Sequence, residues 1–157
     1  IDAGAFKECQ TIKSVVIPGS ITTIGADAFK NCVNLESVKI EEGVKVIGEG
    51  AFSGCKDLKE IKIPSSITSI EKFTFYDCLR LEKVELPQKL TSIGYGAFSN
   101  CRSLKEITIP ENVTTVKGNV FLRCKNLVVY FLSMFCYTLY DSAQIGHWRT
   151  SRDGNYL

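Results

Sequence analysis

Asn31–Ile40 reads NCVNLESVKI, Gly54–Ile63 reads GCKDLKEIKI and Asn100–Ile109 reads NCRSLKEITI. The three decamers share Cys, Leu and a final Ile at the same places, and outward from them every feature returns on one interval. Phe6, Phe29, Phe52, Phe75, Phe98 and Phe121 stand 23 residues apart, and Cys9, Cys32, Cys55, Cys78, Cys101 and Cys124 keep the same spacing. Ile12, Leu35, Leu58, Leu81, Leu104 and Leu127 follow, then Val15, Val38, Ile61, Val84, Ile107 and Tyr130, then Ile17, Ile40, Ile63, Leu86, Ile109 and Leu132. On this reading no insertion breaks the frame.

A fixed period of this length predicts a solenoid, because one unit cannot bury its apolar face without a neighbour on each side. About six coils are expected over residues 1–132, with 133–157 as a C-terminal capping segment. Within a coil, VKI and IKI alternate as a half-exposed strand does, and Pro18, Pro64, Pro87 and Pro110 follow where a strand would stop. Each coil therefore contributes one strand to a parallel sheet. AFKNC and AFSGC read as one short helical turn, and Gly25, Gly48 and Gly94 as turn residues needing positive φ. Glu71 and Lys117 take that glycine position in two coils, where the turn is expected to be built differently or strained.

Composition fits one folded domain: the 157 residues are 45% hydrophobic and 23% charged. With 19 Lys plus Arg against 17 Asp plus Glu the net charge is +2, so no broad field favours nucleic acid or an anionic membrane. The longest uncharged apolar run, Leu127–Tyr140, has 14 residues, short of the roughly 18–20 a membrane-spanning helix needs. The chain opens at Ile1 without a Met, which fits a processed or excised piece.

The pattern AFxxCxxLxxVxIPxxVTxIG over about Ala5–Leu132 resembles the BspA-like class of leucine-rich repeats. That resemblance implies a right-handed solenoid with a parallel sheet on its concave face and short helical or 3-10 turns on its convex side. It further implies a bacterial or protist cell-surface protein, often serving adhesion to host proteins. Tyr140, Ala143 and Trp148 would then lie in the family's closing element.

Strands stack roughly 4.7–4.9 Å apart, so the six cysteines should form a column. Parallel side-chain directions argue against disulfides between them, and neither a column nor a 23-residue interval offers four converging zinc ligands. A ladder of free, buried thiols acting as small apolar fillers is the expectation.

Strand residues between core positions should face the concave surface: Ser14 and Val16, Ser37 and Lys39, Glu60 and Lys62, Lys83 and Glu85, Glu106 and Thr108, then Val129 and Phe131. Glu60, Lys83 and Glu106 alternate in sign down one column, so neighbours can pair. This face is either self-satisfied or a recognition surface, with Lys39, Glu60, Lys62, Lys83, Glu85 and Glu106 as ligand-binding candidates. A second candidate is aromatic. Phe73, Tyr76 and Tyr95 replace small or polar residues of other coils and fall on adjacent coils, as interface anchors do.

Catalysis has little support: His147 is the single histidine, and no spacing rule joins it to Cys136 and Asp141. There is no phosphate loop, no GxGxxG after a strand and no HExxH, so no enzyme, cofactor or metal is expected. Asn112–Thr114 is a formal glycosylation acceptor. Two functions compete: a non-catalytic module binding a host or matrix protein, or a glycan, at a cell surface, and a structural spacer in a longer repeat array.

Overall fold

A computed structural model describes residues 1–132 and 148–150. Six strands form the concave series: β1 (Ser14–Ile17), β3 (Ser37–Ile40), β5 (Glu60–Lys62), β7 (Lys83–Glu85), β9 (Glu106–Ile109) and β11 (Val128–Phe131). Short strands lie between them, namely β2 (Thr23–Ile24), β4 (Val46–Ile47), β6 (Ser69–Ile70), β8 (Ser92–Ile93) and β10 (Thr115–Val116), and β12 (Trp148–Thr150) comes last. Every pairing is parallel, as one turn of a coil laid on the next requires. The sheets run β1-β3-β5-β7 and β9-β11-β12 on one side, β2-β4 and β6-β8-β10 on another.

The core is the set of recurring columns. Phe29, Phe52, Phe75 and Phe98 are fully buried, and each phenyl ring stacks on the next from Phe6 to Phe121, with centroids 5.1–5.9 Å apart and planes within 15°. Offset stacking of this kind adds about 0.5–1.5 kcal/mol per pair beyond burial. Leu35, Leu58, Leu81 and Leu104 close the other side of the core.

The convex arc contains turns and, among the described residues, no helix, which corrects the expected helical turn. The backbone shows why. Asp27, Gly50, Phe73, Gly96 and Asn119 have φ between 55° and 62°, and four residues later Asn31, Gly54, Asp77, Asn100 and Arg123 are left-handed as well. A right-handed helix cannot pass through two such residues per turn. Donors then alternate in direction: the N–H groups of Gly4, Phe6 and Glu8 donate to the carbonyls of Ala26, Ala28 and Lys30 in the next coil, while those of Ala5, Lys7 and Cys9 donate three residues back. Coil-to-coil bonds thus replace helical ones.

Gly25, Gly48 and Gly94 are not left-handed, so positive φ is not their reason. A Cβ on Gly48 would lie 2.6 Å from the Ala26 nitrogen, and one on Gly94 the same distance from the Lys72 nitrogen. The reason at these glycines is close approach of two backbones, with the Gly48 N–H reaching the Ile24 carbonyl at 2.8 Å and that of Gly94 reaching Ile70 at 2.7 Å. Glu71 carries a Cβ at this position. In that coil the ladder is open, since β4 and β6 do not pair, and earlier in the same two coils the Glu42 carboxylate receives the Ser65 N–H and hydroxyl, the latter at 2.7 Å. Lys117 keeps the bond, donating to Ile93 at 2.9 Å.

The last coil is one residue shorter than the rest. β11 pairs Val129 with Ile107 and Phe131 with Ile109, so Val129 and Phe131 are buried and do not face the concave surface as expected. Tyr130, placed in the core by the 23-residue frame, is half-buried. The deletion falls between Leu127, still in frame, and the strand.

Candidate functional site

The concave face is built from strand residues that alternate with the core. Ser14, Val16, Ser37, Lys39, Glu60, Lys62, Lys83, Glu85, Glu106 and Thr108 are all exposed, and pleat geometry aims them to one side. They form two columns. Register places Ser14 beside Ser37, Ser37 beside Glu60 and Glu60 beside Lys83, and in the second column Val16 beside Lys39 and Lys62 beside Glu85. A shallow groove of about 660 Å³ runs over Val16, Lys39, Lys62 and Glu85.

Its charges do not pair down the column as expected. Lys83 bonds Glu85 of its own strand at 2.6 Å, and Lys62 reaches the same carboxylate across strands at 4.0 Å. Lys39 bonds Glu41 at 3.2 Å. Glu60 and Glu106 have no ion pair among the described residues. The hydrogen bond from Lys83 holds the Glu85 carboxyl below its ordinary range and, reciprocally, raises the Lys83 ammonium. Glu41 and Glu42 were not singled out from the sequence, although one clue was available: Glu41 stands where Pro18, Pro64, Pro87 and Pro110 stand in other coils.

The aromatic candidates do meet. Phe73 packs edge-on against Tyr76 and Tyr95, with centroids 5.7 and 5.6 Å away and planes at 84° to both. Tyr76 and Tyr95 stay exposed. Phe73 itself is left-handed, a strained conformation for a bulky side chain. Its ring lies where a Cβ on Gly96 would be, 2.7 Å from Cε1, and Asn119 donates a hydrogen bond to the Tyr95 hydroxyl. Down this column Gly4, Asp27, Gly50, Phe73, Gly96 and Asn119 alternate glycine with a side chain, and Asp27 covers Gly50 as Phe73 covers Gly96.

All six repeat cysteines are free. Their role is more specific than apolar filling. The Cys32, Cys55, Cys78, Cys101 and Cys124 thiols each donate to the carbonyl of the preceding coil's Phe, at 3.0–3.3 Å. Each of these carbonyls also accepts the N–H of the cysteine three residues on, so the thiol, a weak donor on a small side chain, fills the acceptor's second lone pair and ties one coil to the next. Burial raises the Cys32 thiol and pushes those of Cys55, Cys78 and Cys101 well up. Cys9, in the first coil, lies within 3.5 Å of the Thr11 hydroxyl, and that contact lowers its thiol.

Cys136, Tyr140, Asp141, Ala143 and His147 lie outside the described residues, as does most of the 133–157 segment. Trp148 begins β12, whose backbone pairs with β11. Among the described residues no cluster of three His, Cys, Asp or Glu could hold a metal, and no helix is long and apolar enough to cross a membrane.

Known proteins agree with this architecture. A leucine-rich cell surface protein from Faecalibacterium prausnitzii A2-165 matches at 29% identity with a TM-score of 0.60, over 85% of this chain and 43% of its own. The pneumococcal vaccine antigen PcpA shares the fold at 22% identity and a TM-score of 0.66, over 90% of this chain and 40% of its own. A leucine-rich repeat protein of T. pallidum, TpLRR, matches at 31% identity with a TM-score of 0.79, covering 90% of this chain and 71% of that one. No curated protein matches the chain. The model of the BspA type leucine rich repeat region fits six copies across residues 1–128. With that repeat filling most of its length, this chain belongs to the BspA-type leucine-rich repeat family.

Proposed function

We propose that the chain is a non-catalytic protein-binding module of a cell-surface repeat protein, serving adhesion, and that its concave sheet meets the partner. Repeat proteins of this type are generally surface proteins with protein-binding roles. The observation that carries the reading is the two exposed columns on the concave sheet. Their side chains change from coil to coil on a backbone fixed by parallel pairing, a rigid scaffold for recognition. The Phe73, Tyr76 and Tyr95 cluster is a second contact surface.

The test is a binding screen against extracellular matrix and plasma proteins, repeated with F73A/Y76A/Y95A and with the charge reversals E60K, K62E, K83E and E85K. Loss of binding in the charge set supports the concave face, and loss in the aromatic set moves the contact to the convex side. Unchanged binding in both sets removes both surfaces.

The second reading, a spacer in a longer array, draws on the Lys62, Lys83 and Glu85 cluster, which neutralises part of the face without a ligand. It expects no partner in the screen and a flanking ligand-binding or catalytic domain in the full-length product.

A further inference from the structure

The second concave column runs Val16, Lys39, Lys62, Glu85 and Thr108. Pairing of Ser37 with Glu60 carries Lys39 next to Lys62 two residues on, so two ammonium groups occupy equivalent places on adjacent strands. Like charges side by side on one sheet face cost stability, and each of these is offset by a single surface carboxylate, Glu41 for Lys39 and Glu85 for Lys62. Their side chains are 70% and 77% exposed, more than those of the other ion-paired lysines and arginines among the described residues. Neither pair is buried: Lys62 reaches one oxygen of Glu85 only at 4.0 Å while Lys83 bonds the other at 2.6 Å, and the Lys39–Glu41 contact at 3.2 Å joins an exposed lysine to a half-buried glutamate. Exposed pairs contribute little, so an incoming carboxylate can replace them.

Resting on the binding-module reading, we infer that Lys39 and Lys62, with Val16 beside them, are the recognition point of the concave face, and that the occupant is an acidic peptide segment of a partner protein. Two observations select a peptide over a long polyanion. Glu41, Glu42, Glu60 and Glu85 surround the two lysines, so a uniformly negative chain would meet four carboxylates as soon as it left them. Val16 is 60% exposed and pairs in register with Lys39, which sets an apolar contact one strand spacing from the charge. A segment bearing Asp or Glu next to an apolar residue meets both.

The probe is a random peptide display library panned on the intact chain, with heparin as the polyanion control. The selected peptides are expected to carry Asp or Glu within two positions of an apolar residue and to bind more weakly as salt rises. K39E/K62E should weaken them about tenfold or more, and V16S should cost a smaller factor that salt does not change, with both variants keeping the parent Tm. Selected peptides without acidic residues, binding unchanged in K39E/K62E, or full displacement by heparin would each overturn the inference. Binders that depend on Phe73, Tyr76 and Tyr95, or on Lys83 and Glu106, overturn it while leaving the binding-module reading intact. A library that yields no binder at all counts against both.

Discussion

The convex arc and the concave sheet follow the same 23-residue interval, but one copies its side chains and the other changes them. Inside the arc Phe and Cys recur in every coil, each ring stacked on the next and each inner thiol bonded to the carbonyl below it. On the sheet the equivalent exposed positions read Ser, Ser, Glu, Lys, Glu in one column and Val, Lys, Lys, Glu, Thr in the other. A position that touches its own copy above and below must suit itself, whereas one that faces solvent is released from that condition. The contrast separates residues that hold the coils together from residues free to meet another molecule.

That separation can be broken experimentally, beginning where the effect is largest. Phe75→Ala removes a buried ring that stacks on both Phe52 and Phe98. It should cost about 3–5 kcal/mol in urea unfolding, as large-to-small core changes do. A loss below 1 kcal/mol would mean that the ladder carries little of the stability.

Gly48→Ala drives a methyl group into the backbone at Ala26 and should cost about 1–3 kcal/mol. Alanine at Glu71, in the same position of the next coil where the ladder is already open, should stay within about 0.5 kcal/mol. Equal losses at the two sites would refute the close-approach account of these glycines.

The thiols supply a pH test. The folded values of Cys55, Cys78 and Cys101 are raised far, so their contribution is complete below the unfolded thiol value and fades as pH climbs through it. Between about pH 9 and 10, each of these three should subtract about 1 kcal/mol from unfolding stability. A Tm that holds steady over that range would show that the thiols ionise in place. Smallest of all, Lys62→Ala and Glu60→Ala should move stability by no more than about 0.5 kcal/mol, while altering whatever binding the concave face has.

Much of this was legible in the sequence, for physical reasons that also mark where legibility stopped. Columns of Phe, Cys and Leu declare a stacked fold because identical neighbours leave the same residue at each level. AFKNC reads as helical from its Ala, Phe and Lys, yet Asp27 and Asn31, four apart, are the residue types that tolerate a left-handed backbone, and they decided the turn. Glycine at position 48 has two possible causes, positive φ or close approach, which composition cannot separate. In the last coil, Val128–Phe131 is apolar throughout, so no alternation fixed its register and the one-residue slip went unseen. The charges failed differently. Which lysine reaches which carboxylate depends on rotamers, and Glu85 served two partners where spacing suggested a simple zigzag.

The alternation of glycine with Asp27, Phe73 and Asn119 gives the molecule a hidden double stride. Excising one winding would bring Asp27 directly under Phe73, or set two glycines face to face with nothing between them. Removing two windings together keeps the alternation, so a deletion of 46 residues is expected to be better tolerated than one of 23.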